Sequence, residues 1–153
     1  MTEKHTMTER TVYQSMTQRH VISLGPHATV HEAACVMTHA NSGSVLIIDS
    51  DGTMLGILTE RDLMTRVLVK ALDPAKTLAS EVMTRNPHCA PPEMKVADAI
   101  LIMIERGFRN MPVIAADTGK ILGVFSDRDA LEPEVNTAQS LAEFHKQVND
   151  ALG

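Results

Sequence analysis

Apolar residues recur along this chain in two rhythms. Val30, Ala33, Ala34 and Met37 stand at i, i+3, i+4 and i+7, and Val96, Ala99, Ile100 and Met103 repeat the spacing. A period near 3.6 places each quartet on one face, so each predicts an amphipathic helix. After each helix comes a short apolar run, SVLII at 44–48 and MPVIA at 111–115, then an Asp/Gly turn, then MLGIL or ILGVF. Two such runs around a tight turn predict a hairpin. The chain then reads GILTERDL at 56–63 and GVFSDRDA at 123–130, where a second helix is expected to begin in each half. The first, over about 60–71, has Leu63, Met64, Val67, Leu68 and Leu72 to bury, and the second is expected to be short because Pro133 stops it.

The halves repeat in register. Gly56 and Gly123 are 123 − 56 = 67 residues apart, Met16-Thr17 and Met83-Thr84 stand at the same offset, and the helix quartets match at 66. Each half is expected to run strand, helix, strand, strand, helix. The fold class is therefore α/β (α+β): two β-α-β-β-α repeats, each too long for a solenoid unit and too small for a comfortable core of its own, packed with pseudo-twofold symmetry. The expected boundaries are a polar arm at 1–14, a first repeat at 15–72, a linker at 73–81, a second repeat at 82–133 and a C-terminal amphipathic helix at 134–153. In that last helix Leu141, Phe144, Val148 and Leu152 share a face, with Asn136 or Thr137 available as N-cap. The stripe needs a partner, either the core or a second copy.

Composition narrows the function classes. An apolar fraction of 44% in 153 residues suffices for a core, and no run approaches the roughly 18 apolar residues of a membrane span. The polar start lacks the apolar centre of a secretory signal, so a soluble cytoplasmic protein with no membrane partner is expected. A net charge of −5 argues against a nucleic-acid surface, and the few aromatics supply no stacking platform. Cys35 and Cys89 fit no zinc spacing, and His27 and His31 lack a third ligand nearby, so no metal site is expected. No nucleophile elbow, phosphate-binding lysine loop or carboxylate pair is evident, hence no catalytic residues, no catalytic cofactor and no enzyme.

Thr59-x-x-Asp62 and Ser126-x-x-Asp129 have the form of a capping box, in which hydroxyl and acid satisfy amides at a helix start. Two features suggest more. Both motifs follow a Gly-containing strand at a helix mouth, where amides and the helix dipole favour an anion. Each also carries an arginine, Arg61 or Arg128, in an acidic chain. An Asp here can accept two hydrogen bonds from the vicinal diol of a ribose, while Thr or Ser and the amides take phosphate oxygens.

With its hairpins, its TVHEAACVM and KVADAILIM helices and its Met-Thr entries, the repeat resembles two tandem CBS (cystathionine β-synthase) domains over about residues 15–133, and FRNMPVIAADTGKILGVFSDRD is similar to that family's strand-turn-strand block. The resemblance implies a stand-alone Bateman module that binds AMP, ADP, ATP, NAD or S-adenosylmethionine in clefts between repeats. It implies ribose on Asp62 and Asp129 and phosphate or ribose near Thr59 and Ser126. Adenine would lie near Val21, Ile22, Val45 and Leu46 in one half, and near His88, Met111 and Pro112 in the other, mostly through backbone groups. Arg109 and Asn110 stand where the family often has a basic pair. Arg66 has Pro133 as its counterpart, so the clefts are expected to differ, with the Thr59/Asp62 cleft the better phosphorylated-nucleotide site through Arg66 and Arg109. The resemblance also implies a homodimer that signals occupancy to an effector protein. The alternative is a structural dimerisation module with degenerate clefts.

Overall fold

The computed structural model describes residues 9–17 and 20–152. In chain order the elements are α1 (Val12–Ser15), β1 (Ser23–Leu24), α2 (Val30–Ala40), β2 (Ser44–Ile48), β3 (Met54–Thr59), α3 (Glu60–Asp62, running on as a π-helix over Leu63–Leu68), α4 (Ala79–Val82), β4 (Thr84–Arg85), α5 (Val96–Arg106), β5 (Asn110–Ile114), β6 (Ile121–Ser126), a 3₁₀ turn (Asp127–Asp129) and α6 (Glu132–Leu152). They fall into two compact units, His20–His88 and Met1–Arg19 with Cys89–Gly153. The Met16-Thr17 entry of the first repeat thus belongs to the unit built by the second, and Met83-Thr84 belongs to the unit built by the first.

In the His20–His88 unit the sheet order is β1-β2-β3-β4. β1 lies parallel to β2, and β3 pairs antiparallel with both β2 and β4. Helix α2 forms because its stripe has somewhere to go: Val30, Ala33 and Met37 are buried against Val45, Ile47 and Leu58. Its start is a full capping box, with the Thr29 hydroxyl accepting from Glu32 N at 3.1 Å and the Glu32 carboxylate accepting from Thr29 N at 2.8 Å. Those Thr29 hydrogen bonds hold the Glu32 carboxyl below its ordinary value. Asn41, in the left-handed region at φ 53°, ends the helix.

The other unit repeats the plan. β5 and β6 form a hairpin, and Ala90 bridges Val113 in parallel, as β1 does with β2. Both hairpins carry a register shift at the same place, between Ile47 and Ile48 and between Val113 and Ile114. Helix α5 buries Val96, Ala99, Ile100 and Met103, and Val12, Met16 and Ala138 complete that core from α1, its following residue and α6.

The glycines that open the two motifs are needed for different reasons. A Cβ on Gly56 would stand 2.6 Å from the Thr84 carbonyl oxygen and 2.7 Å from the Met83 sulfur, so glycine lets β4 close on β3. Gly123 instead sits at φ 145°, a conformation that side chains disfavour.

The end of the chain departs from expectation in two ways. Pro133 does not stop a helix but lies in the first turn of α6, where its missing N–H would have had no intrahelical partner. The helix starts at Glu132, so neither Asn136 nor Thr137 is its N-cap. The face turned to the core carries Glu134 and Ala138, while Leu141, Phe144, Val148 and Leu152 remain exposed, Phe144 by 59%. Of the two outcomes open to the stripe, the core is therefore not its partner: the core side of α6 is taken by Ala138 and by Glu134, which is paired with Arg10. Cys35 and Cys89 are not joined in a disulfide, and partial burial pushes the Cys89 thiol up.

Candidate functional site

Each motif is a cap whose carboxylate also reaches another segment of its own unit. At Asp62 the local box is complete: Thr59 N donates to Oδ2 at 3.0 Å, the Thr59 hydroxyl lies 3.1 Å from the same oxygen, and Asp62 N donates back to Thr59 Oγ1 at 3.2 Å. The Thr84 hydroxyl in β4 then donates across the sheet edge, 3.1 Å from Oδ1 and 3.3 Å from Oδ2. Arg66, one helical turn on, brings Nε to 3.7 Å from Oδ1 and donates Nη1 to the Met83 carbonyl at 2.9 Å. The outcome is a carboxylate that is 5% exposed and ringed by donors. Burial of a charge on this scale is tolerated only with such a set of partners.

Asp129 follows the same plan with a looser grip. Ser126 N donates to its Oδ2 at 3.0 Å, and the Ser126 hydroxyl accepts from Arg128 N at 3.3 Å. From across the unit the Thr17 hydroxyl donates to Oδ1 at 3.2 Å. Thr17 itself is exposed and Asp129 only partly buried. The two Met-Thr entries thus deliver the same hydroxyl to the two acids, Thr17 to Asp129 and Thr84 to Asp62. Neither threonine was singled out as a site residue from sequence, although the 67-residue match of Met16-Thr17 with Met83-Thr84 is the signal that marks them.

The remaining expected residues divide between surface and core. Arg61 and Arg128 are exposed beside their caps. Arg109 is exposed, with Nε 3.8 Å from an Asp127 carboxylate oxygen, and its carbonyl accepts from Asp127 N at 3.1 Å. Asn110 opens β5 opposite Ser126. Val21 is exposed, while Ile22 packs on the core and its carbonyl accepts from Leu46 N at 3.0 Å. Val45, Leu46, Met111 and Pro112 are fully buried, so their side chains offer no open surface and any ligand contact would be through backbone groups. His88 is half-buried at the end of its unit. Among the described residues no three His, Cys, Asp or Glu side chains gather as a metal site, and no helix is long and apolar enough to cross a membrane.

A twice-built α+β unit, in which an acid just past each hairpin caps the turn that follows and takes a hydroxyl from a swapped entry segment, defines a class of tandem modules. A CBS domain profile matches this chain over residues 12–69 and again over 79–134, and the chain belongs to the CBS-domain family. The Methanopyrus kandleri protein MK0525 is 30% identical over 135 residues, spanning 88% of this chain and 68% of that one. The Schizosaccharomyces pombe meiotically up-regulated gene 70 protein is 31% identical over 144 residues, which is 85% of this chain and only 20% of that protein's length. Among solved structures, the CBS-domain containing protein ATU1752 of Agrobacterium tumefaciens is 29% identical with a TM-score of 0.72, covering 84% of this chain and 92% of its own. The fold is also that of the Pyrobaculum aerophilum CBS domain protein PAE2072, solved with AMP, at TM-score 0.74 and 21% identity over 86% of this chain and 99% of that one.

The difference in burial of the two acids has a measurable consequence. Thr84→Val removes a donor from a buried carboxylate and should cost about 1.5–3 kcal/mol. Thr17→Val removes one from a carboxylate that water can reach and should cost under about 1 kcal/mol. Urea denaturation of both variants checks this order, and equal losses would contradict it.

Proposed function

We propose that this protein is a regulatory module that binds an adenine nucleotide at its acidic caps and passes the occupancy, through a homodimer, to an effector protein. The observation that carries the proposal is the Asp129 carboxylate: partly exposed, held at one oxygen by the Ser126 amide, and meeting at the other a hydroxyl donor, Thr17, that a ribose hydroxyl can replace or join. Membership of the CBS-domain family supports the reading, as does AMP in the PAE2072 structure. AMP, ADP and ATP fit it best, with NAD and S-adenosylmethionine sharing the ribose. No catalytic role is proposed.

The sequence favoured the Thr59/Asp62 half, because Arg66 stands one turn beyond the acid. The hydrogen bonding favours the other half. Asp62 is enclosed by Thr59 and Thr84, and Arg66 is drawn to the Met83 carbonyl and to Asp62 itself. Ligand entry there requires breaking bonds to a buried charge, whereas at Asp129 the acid is already accessible. We therefore assign the principal site to Ser126 and Asp129, with exposed Arg109 and Arg128 supplying positive charge for phosphate. Thr59, Asp62, Arg61 and Arg66 form the weaker site. The exposed α6 stripe of Leu141, Phe144, Val148 and Leu152 is the face we assign to a second copy.

A ligand that binds the folded state raises the melting temperature by an amount that grows with its concentration. AMP or ATP should do so for the wild type, Asp129→Ala should lose most of the shift, and Asp62→Ala should lose less of it. A flat response to AMP, ATP, NAD and S-adenosylmethionine would favour the purely structural module. Light scattering should return the mass of a dimer, and Phe144→Glu should shift it toward monomer; a wild-type monomer with and without nucleotide would rule the dimer out.

A further inference from the structure

The segment from Arg10 to Thr17 touches Asp129 at both of its ends. The strap is laid down by backbone bonds: the Arg10 carbonyl accepts from Val96 N at 2.9 Å, and Val12 N donates to the Met94 carbonyl at 2.8 Å. At its far end the Thr17 hydroxyl donates to the Asp129 carboxylate. At its near end Arg10 Nη2 donates to the Asp129 backbone carbonyl at 3.1 Å.

The same guanidinium holds the start of α6. Arg10 Nε lies 3.0 Å from Glu134 Oε2 and Nη2 lies 2.8 Å from Oε1. Glu134 is 0% exposed, and its Oε1 also accepts from Leu131 N at 2.7 Å, the backbone half of a capping box. The Glu134 hydrogen bond raises the Arg10 guanidinium above its ordinary value. A planar fork meeting a carboxylate two-pronged fixes orientation as well as charge, which an ammonium would not do.

We propose that Arg10 is a positioning residue for the Asp129 site, and that the Arg10–Glu134 pair links occupation of that site by an adenine nucleotide to the docking of α6. This rests on the nucleotide reading above. One guanidinium sets both the backbone of Asp129 and the first turn of α6, so a ligand that tightens the first tightens the second, and the coupling is reciprocal. The helix that carries the exposed apolar stripe is thereby the element that reports occupancy.

The test uses the full chain, with AMP and ATP as probes. Arg10→Met alone strands a buried carboxylate, so the informative variants are the paired Arg10→Met/Glu134→Met, which replaces the ion pair by apolar groups that cores tolerate, and Arg10→Lys, which keeps the charge and loses the fork. Both should melt cooperatively, bind AMP more weakly, the paired variant by about 10-fold, and lose the AMP-dependent slowing of hydrogen exchange expected across residues 131–142 of the wild type. Unchanged AMP affinity together with unchanged AMP-dependent protection of α6 in either folded variant overturns the coupling and leaves the nucleotide reading intact. Binding of neither AMP nor ATP by the wild type overturns both.

Discussion

A carboxylate that caps its own helix and at the same time accepts a hydroxyl from a distant segment is the constraint on which this structure turns. Asp62 and Asp129 each satisfy a backbone amide three residues back, which fixes the exit from the hairpin. Each then ties down the entry segment that precedes the other repeat in sequence, through Thr84 and Thr17. A hydrogen bond to a charged group is stronger than one between neutral partners, and inside a unit it is stronger again. The exchange of entry segments explains why the repeats of the sequence and the compact units of the fold do not coincide.

The same interaction, built twice, has been set to two strengths. In the His20–His88 unit Gly56 lets β4 come close enough for Thr84 to reach both oxygens of Asp62, and Arg66 closes the remaining side. That acid is buried and fully engaged within its own unit. In the other unit the entry segment ends in an exposed threonine, the helix after the cap is replaced by a 3₁₀ turn, and Asp129 stays within reach of solvent. An acid already organised for hydrogen bonding, and not yet enclosed, is suited to exchange one hydroxyl for another.

Much of this was legible in the sequence where a local rhythm carries the information. Of the expected helix face Val30, Ala33, Ala34 and Met37, all but the half-buried Ala34 are buried, and the Asp/Gly turns mark real hairpins, because a period and a turn are set by neighbours in the chain. Thr59, Asp62, Ser126 and Asp129 were legible as caps for the same reason. What was not legible depends on contacts far apart in sequence. Glu134 is paired with a residue 124 positions away, and nothing local distinguishes it from the exposed acids around it. The rhythm from Leu141 to Leu152 leaves open whether that stripe meets the core or a second copy, and the structure leaves it exposed while Ala138 and the Arg10–Glu134 pair are what α6 buries. Pro133 was misplaced because proline both ends helices and begins them, and only the structure shows which.

The claim that an acidic cap reads a ribose is most directly tested by comparing AMP with its 2′,3′-dideoxy counterpart in calorimetric titrations of the wild-type protein. The two ligands share adenine and phosphate and differ only in the diol offered to the carboxylate. Hydrogen bonds to a charged acceptor are worth about 1.5–3 kcal/mol each, and about 1.4 kcal/mol is tenfold in affinity, so AMP should bind at least roughly tenfold more tightly. Equal affinities for the two ligands would contradict the account.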